Sequence, residues 1–170
     1  MYSHEVKLRV RYAETDQMGF VYYGVYAQYY EVGRVELLRS LGVSYKSLEE
    51  SGFELPVLNF NINYKKPAYY DDKLTLKTSL KEMPTSKIIF HYECFNENNQ
   101  IINDGNISLV FVNKEVKNLV ELHKLLKKNF LLIYNFSSTS VIKTSIVSIG
   151  LLLYFFEILF PKIAQIVMVL

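Results

Sequence analysis

The carboxylate of Asp16 lies between a strand-like and a helix-like stretch of the chain, and Tyr23 and Gly24 follow at the expected start of the helix. The free N–H groups at a helix N-terminus can polarise a carbonyl oxygen. A carboxylate beside that carbonyl can activate a water molecule or attack the carbon directly. This combination is suited to acyl transfer or thioester hydrolysis without a metal ion or a serine.

Each residue of this stretch also has an ordinary structural interpretation. An aspartate just before a turn is typical of an Asx turn, so Asp16 alone does not indicate catalysis. Gly19 and Gly24 would let the backbone approach an acyl group closely, but glycine is also a common turn residue. The ring of Tyr23 is suited to a polar contact or to core packing. Glu31 precedes an arginine by three residues, so it either joins the site or pairs on the helix surface.

The flanking sequence predicts the elements that would position these residues. Apolar and charged residues alternate over 6–12, the period of a half-buried strand, and 13–22 form the connection. From about Tyr23 to Leu41 apolar residues recur at helical spacing, with Gly33 in the apolar stripe. A short second helix is expected over about Ser44–Ser51.

Strand patterns then follow without another long helix, over residues 58–64, 74–80, 88–94, 101–102 and 107–113. The resulting order, with one helix inserted early and then a meander of strands, predicts an α+β fold in which an antiparallel sheet carries the helix on one face. Such a sheet keeps an exposed edge, which favours dimerisation edge to edge.

Composition narrows the functional classes. The 170 residues carry a formal net charge of +2, which gives no electrostatic case for nucleic-acid binding. The three histidines are scattered without ligand spacing, so no metal site is predicted. One cysteine excludes an intramolecular disulfide and suits a reducing compartment. The N-terminus lacks the pattern of a signal peptide, so a cytoplasmic location is expected.

Residues 1–114 resemble a known family. The first segment is YAETDQMGFVYYGVYAQYYEVGRVELLRSLG, which is long and specific, and PAYYDD at 67–72 and the stretch DGNISLVFVN at 104–113 support it. Together they resemble the hotdog-fold acyl-CoA thioesterases of the 4-hydroxybenzoyl-CoA thioesterase and YbgC-like family. The resemblance implies a long central helix wrapped by a curved antiparallel sheet, which matches the order of one early helix followed by strands.

The resemblance also implies roles for individual residues. Asp16 would face the thioester carbonyl as nucleophile or general base, and the backbone N–H of Tyr23 would donate to the thioester oxygen. Gly19, Tyr22, Gly24 and Glu31 would contact the substrate. Many relatives carry histidine where this chain has Tyr23, and a phenol is a poor general base at neutral pH.

The family further implies a substrate, a cofactor requirement and an assembly. The substrate would be an acyl thioester of coenzyme A or of acyl carrier protein, hydrolysed without a cofactor. The protein would be a homodimer or homotetramer with active sites at the subunit interface. Two alternatives stay open: a hotdog dehydratase of hydroxyacyl thioesters, which would need a histidine that is missing between His4 and His91, and a non-catalytic acyl-thioester sensor or scaffold.

The C-terminal segment has a different composition. Residues 1–128 are predicted to form the hotdog domain, whereas 129–170 are strongly apolar. The longest uncharged run is short for a membrane span of about 20 residues. A packed helix, a membrane anchor or interfacial segment, a non-native terminus and a second domain all stay open for this tail.

Overall fold

The protein is described from a computed structural model, in which residues 1–119 are described. The predicted domain boundary at 128 and the apolar tail lie outside this part of the chain. The strands and helices are β1 (Tyr2–Arg9), α1 (Val25–Ser40), α2 (Tyr45–Glu50), β2 (Phe53–Glu54), β3 (Val57–Tyr64), β4 (Lys73–Leu80), β5 (Lys87–Phe95), β6 (Ile101–Val110) and β7 (Val112–Asn113).

Five of the strands form one antiparallel sheet in the order β1-β4-β5-β6-β3. The two short strands β2 and β7 pair separately. Helix α1 packs on one face of the sheet, chiefly against β1 and β4. The α+β architecture predicted from the element order is therefore confirmed.

The core lies between α1 and the sheet, and it contains several tyrosines. Tyr30 is fully buried and stacks on Tyr92 of β5 with the ring centroids 4.0 Å apart. Its hydroxyl donates to the side-chain oxygen of Asn103 at 2.7 Å, so the polar end of the ring is satisfied inside the core. Gly33 lets α1 approach β4, since an added Cβ would come within 2.8 Å of Leu76.

The structure differs from the sequence-based boundaries in several places; β1 begins at Tyr2, before the predicted 6–12, and the predicted strand 107–113 is divided between β6 and β7. The first strand ends at Arg9, whereas the alternation predicted Tyr12. Here local polar contacts override the alternation, because the Arg11 N–H donates to the Glu14 carboxylate at 2.7 Å and closes a 3₁₀ turn at Tyr12–Glu14. Helix α1 begins at Val25, two residues later than predicted, β2 was not predicted, and 101–110 form one strand where two were expected.

Strand β3 forms an exposed edge of the sheet. It pairs with β6 on one side only, and Leu58, Phe60 and Tyr64 are 63%, 40% and 49% exposed. In the single chain the sheet therefore ends in a strand with exposed apolar side chains. Among residues 1–119, no helix has the length and apolar character needed to cross a membrane.

Candidate active site

Asp16 begins a tight reversal of the chain between β1 and α1. The Asp16 N–H donates to the Phe20 carbonyl at 3.0 Å, and the Gly19 N–H donates to the Asp16 carbonyl at 2.9 Å. This is the three-residue hairpin loop whose last position needs a left-handed conformation, and Gly19 supplies it with φ +81°. The sequence QMG therefore fixes the backbone that carries Asp16.

The Asp16 carboxylate has a structural contact and remains open to chemistry. Its Oδ1 accepts the Met18 N–H at 2.8 Å, which is an Asx turn. No hydrogen bond within residues 1–119 engages Oδ2, and the residue is half-buried. The Asx turn expected for Asp16 is thus confirmed. The turn orients the carboxylate through Oδ1 and leaves Oδ2 without a hydrogen bond within residues 1–119.

The start of α1 presents backbone donors close to this loop. The Val25 N–H donates to the Tyr22 carbonyl at 2.9 Å, and the Tyr64 hydroxyl donates to the Tyr23 carbonyl at 3.1 Å. Across the described part of the chain, neither the N–H of Tyr23 nor that of Gly24 has a hydrogen-bond acceptor. Unpaired N–H groups at this position can accept an oxyanion or carbonyl oxygen from a ligand.

Asp16 and Tyr23 line the same cavity, which has a volume of about 340 Å³. Its walls are mainly aromatic and apolar, with two lysines. The lining residues are Asp16, Met18, Phe20, Val21, Tyr23, Tyr26, Tyr64, Lys65, Lys66 and Pro67. Asp16 is the one carboxylate among these residues, so any acid–base step by a carboxylate in this cavity falls to it.

Two phenols in the cavity wall stay protonated at neutral pH. Burial raises the pKa of Tyr26, with smaller contributions from Cys94 and Tyr64. The pKa of Tyr64 is also raised, again chiefly by burial. Both hydroxyls can therefore donate hydrogen bonds, but neither is suited to remove a proton from water.

The other predicted substrate contacts lie outside this cavity in the single chain. Gly19 forms the turn, and Gly24 caps α1, where an added Cβ would approach the Tyr22 ring at 2.7 Å. Tyr22 packs against Tyr23 with ring centroids 4.4 Å apart. Glu31 is on the helix surface, 4.0 Å from Arg34, as the surface-pair interpretation expects. Substrate contact by these four residues stays a prediction.

The structure adds wall residues that sequence reasoning did not select, notably Tyr26 and Tyr64. The sequence did place both residues in predicted elements, since Tyr26 belongs to the apolar stripe of α1 and Tyr64 ends an alternating strand. Their convergence on Asp16 depends on β3 lying beside the start of α1, which no local pattern encodes. Within residues 1–119, no group of histidine, cysteine or acidic side chains could hold a metal ion.

Comparison with other proteins places this geometry in a family. YneP of Bacillus subtilis, which carries the provisional name acyl-CoA thioesterase, is 36% identical over 115 residues, or 68% of this chain and 83% of that protein. The acyl-CoA thioester hydrolase YbgC of Escherichia coli is 30% identical over 105 residues, or 62% of this chain and 78% of that protein.

A solved structure shows the same fold. A DHNA-CoA thioesterase from Staphylococcus aureus superposes with a TM-score of 0.73 at 29% identity, and the match covers 83% of this chain and 98% of that one. The family model described as the thioesterase superfamily matches residues 18–102, which include the start of α1 and most of the sheet. The resemblance seen in the sequence is confirmed, and the chain belongs to the thioesterase superfamily.

Proposed function

We propose that this protein hydrolyses acyl-CoA thioesters, with Asp16 as the catalytic carboxylate and the N–H of Tyr23 as the donor to the thioester oxygen. The single observation that carries the proposal is that the Asp16 carboxylate lines the same cavity as Tyr23, whose N–H has no hydrogen-bond acceptor within residues 1–119. An acid and an oxyanion donor within one apolar cleft are the minimum equipment for acyl transfer to water.

Two routes give the same products from this geometry. As general base, Asp16 takes a proton from water while the water oxygen attacks the carbonyl carbon; the C–S bond then breaks and the thiolate sulfur takes a proton. As nucleophile, Asp16 forms an anhydride with the acyl group, expels the thiolate, and water then hydrolyses the anhydride. In both routes negative charge develops on the carbonyl oxygen, where the Tyr23 N–H stabilises it.

The cavity walls are suited to the two ends of such a substrate. Met18, Phe20 and Tyr26 provide apolar surface for the acyl group. Lys65 and Lys66 provide positive charge for the phosphates of coenzyme A, although Lys65 also pairs with Asp104. An acyl carrier protein would present its thioester on a phosphate-bearing arm of similar chemistry, so it is the alternative carrier.

The active form is proposed to be a homodimer or a pair of such dimers. The free edge of β3 exposes apolar side chains that a second copy of the strand would cover. Tyr64 ends β3 and also lines the cavity, so pairing through this edge would bring the partner subunit next to each site. The interface location of the site in the resembling family is consistent with this arrangement.

The test is Asp16→Asn assayed with purified protein against a panel of straight-chain and aryl acyl-CoA substrates. Asparagine keeps the Oδ1 acceptor for the Met18 N–H, so the loop should fold normally. Loss of the base or nucleophile should lower kcat by about 10²- to 10⁴-fold with little change in substrate affinity. Asp71→Asn is the matched control, because this aspartate is 61% exposed and pairs with Arg9 outside the cavity.

The outcomes separate the proposal from its rivals. Hydrolysis that is lost in Asp16→Asn and retained in Asp71→Asn supports it. Binding of acyl-CoA by the wild type without any turnover would replace it with the sensor or scaffold function. No histidine lines the cavity among residues 1–119, which disfavours the dehydratase, and hydration of an enoyl-CoA by the wild type would restore that alternative.

A further inference from the structure

Tyr64 connects the edge strand β3 to the first turn of α1. Its hydroxyl donates to the carbonyl of Tyr23 at 3.1 Å, and its ring packs edge-on against Tyr26 with the centroids 5.7 Å apart. Within the described residues this carbonyl accepts no backbone N–H, so the phenol is its only hydrogen-bond partner. A side chain forty-one residues away therefore satisfies a backbone group that the helix leaves unpaired.

This contact fixes the direction of a backbone donor. A trans peptide unit is planar, so its C=O and N–H point to opposite sides. Holding the Tyr23 carbonyl therefore holds the Gly24 N–H, which belongs to the same peptide unit. The preceding peptide is held in the same way, because the Val25 N–H binds the Tyr22 carbonyl at 2.9 Å and so orients the Tyr23 N–H.

We propose that Tyr64 is a positioning residue. Its hydroxyl holds the peptide that follows Tyr23, so that Tyr23, whose N–H is proposed to receive the thioester oxygen, is fixed on both sides. This inference rests on the proposed function. Donors fixed before the reaction need no reorganisation as charge develops, and that is the source of oxyanion stabilisation in enzymes. Tyr64 acts through the backbone and takes no part in the chemistry itself.

The environment of Tyr64 fits this role. The phenol remains a donor through the neutral range, since burial raises its pKa. The adjoining backbone is also anchored, because the N–H groups of Lys65 and Lys66 both donate to the Ile102 carbonyl, at 2.8 and 3.0 Å. The sheet thus sets the position of the Tyr64 hydroxyl. The orientation of the peptide that this hydroxyl binds therefore depends on where β3 lies.

The experiment compares Tyr64→Phe with the wild type in steady-state hydrolysis of the best acyl-CoA substrate. Phenylalanine keeps the ring contact with Tyr26 and removes only the hydroxyl. We expect kcat to fall about 3- to 10-fold, the effect of one neutral hydrogen bond, with KM unchanged. Binding of an S-alkyl-CoA thioether, which has no carbonyl oxygen, should be unchanged, whereas general damage to the site would weaken it.

Two further variants complete the design. Tyr70→Phe is the matched control, because this tyrosine is 58% exposed and its hydroxyl has no hydrogen-bond partner within residues 1–119; it should keep the wild-type kcat. Replacement of Tyr64 by 4-aminophenylalanine, which retains a donor at the ring tip, should recover part of the lost rate.

Each result has one meaning. A wild-type kcat in Tyr64→Phe, or thioether binding that falls together with kcat, overturns the positioning role and leaves the thioesterase proposal standing. Absence of turnover by the wild type on the whole panel overturns the thioesterase proposal, and the role of Tyr64 falls with it. A selective loss of kcat that the aminophenylalanine variant restores supports both.

Discussion

The Tyr29 hydroxyl donates to the Glu14 carboxylate at 2.6 Å and so ties the second turn of α1 to the loop that carries Asp16. The same carboxylate oxygen accepts the Arg11 N–H at 2.7 Å, and the Glu14 carbonyl accepts the Tyr22 N–H at 3.0 Å. Glu14 therefore links Arg11, before the Asp16 loop, and Tyr22, after it, to Tyr29 of α1. The distance between Asp16 and the start of α1 depends on this residue.

Tyr29→Phe should destabilise the protein and slow hydrolysis. It removes a hydrogen bond to a charged group whose side chain is only 12% exposed, and such bonds contribute about 1.5–3 kcal/mol. We expect a loss of that size in the free energy of unfolding, measured in urea, and a lower kcat. Tyr12→Phe is the control, since Tyr12 is 78% exposed and should unfold as the wild type does. An unchanged urea midpoint in Tyr29→Phe would show that this contact does not stabilise the loop.

Much of the fold was predictable because the local patterns agree with the tertiary structure. The stripe containing Tyr26, Tyr30 and Gly33 faces the sheet as helical spacing requires. Alternation also identified β3, β4 and β5 to within one residue at each end. It failed beyond Arg9, where alternation continues in the sequence but the Glu14 side chain turns the chain away from the sheet.

The site was predictable only in part, for a physical reason. Asp16 and Tyr23 stood out because their spacing places an acid near a helix start, a relation within one short segment. The contribution of Tyr64 rests on a contact between residues 41 positions apart. Such a contact exists only once β3 has paired with β6, so no periodicity in the sequence reports it.

Gly33→Ala should destabilise the packing of α1 on the sheet. Alanine favours the helix by about 1 kcal/mol, but its Cβ would contact Leu76 at 2.8 Å and would overlap the Thr78 hydroxyl. Both neighbours are fully buried on β4, and overpacking of this kind costs about 1–3 kcal/mol. We expect a net loss in the free energy of unfolding and a lower melting temperature.

Thr78→Ala tests whether overlap with the Thr78 hydroxyl causes the loss of stability in Gly33→Ala. This hydroxyl has no hydrogen-bond partner within residues 1–119, so its removal should cost little and should make room for the new Cβ. The double variant with Gly33→Ala should then be more stable than the sum of the single changes predicts. Strict additivity would mean that the overlap with Thr78 is not the source of the loss.

Cys94 should be unreactive in the native protein. It is fully buried on β5, and burial raises the pKa of its thiol to about 12, which leaves about 10⁻⁴ of it as thiolate at pH 8. Because the chain has one cysteine, a thiol-reactive reagent should modify one group per chain in denaturant and almost none without it. Rapid modification of the folded protein would show that the centre of the sheet opens readily.

The free edge of β3 should determine the oligomeric state. Leu58 is 63% exposed, and pairing of two β3 strands would place it in the interface. We expect the wild type to sediment at two or four times the mass of one chain. Leu58→Glu should lower that mass, because the change adds a charge to each copy of the β3 edge where the two strands would pair. Val116→Glu introduces the same charge at an equally exposed residue outside β3 and should keep the wild-type mass. A Leu58→Glu protein with the wild-type mass would show that another surface joins the subunits.

If dissociation also abolishes hydrolysis while each chain stays folded, the partner contributes to the site that Asp16 and Tyr64 line.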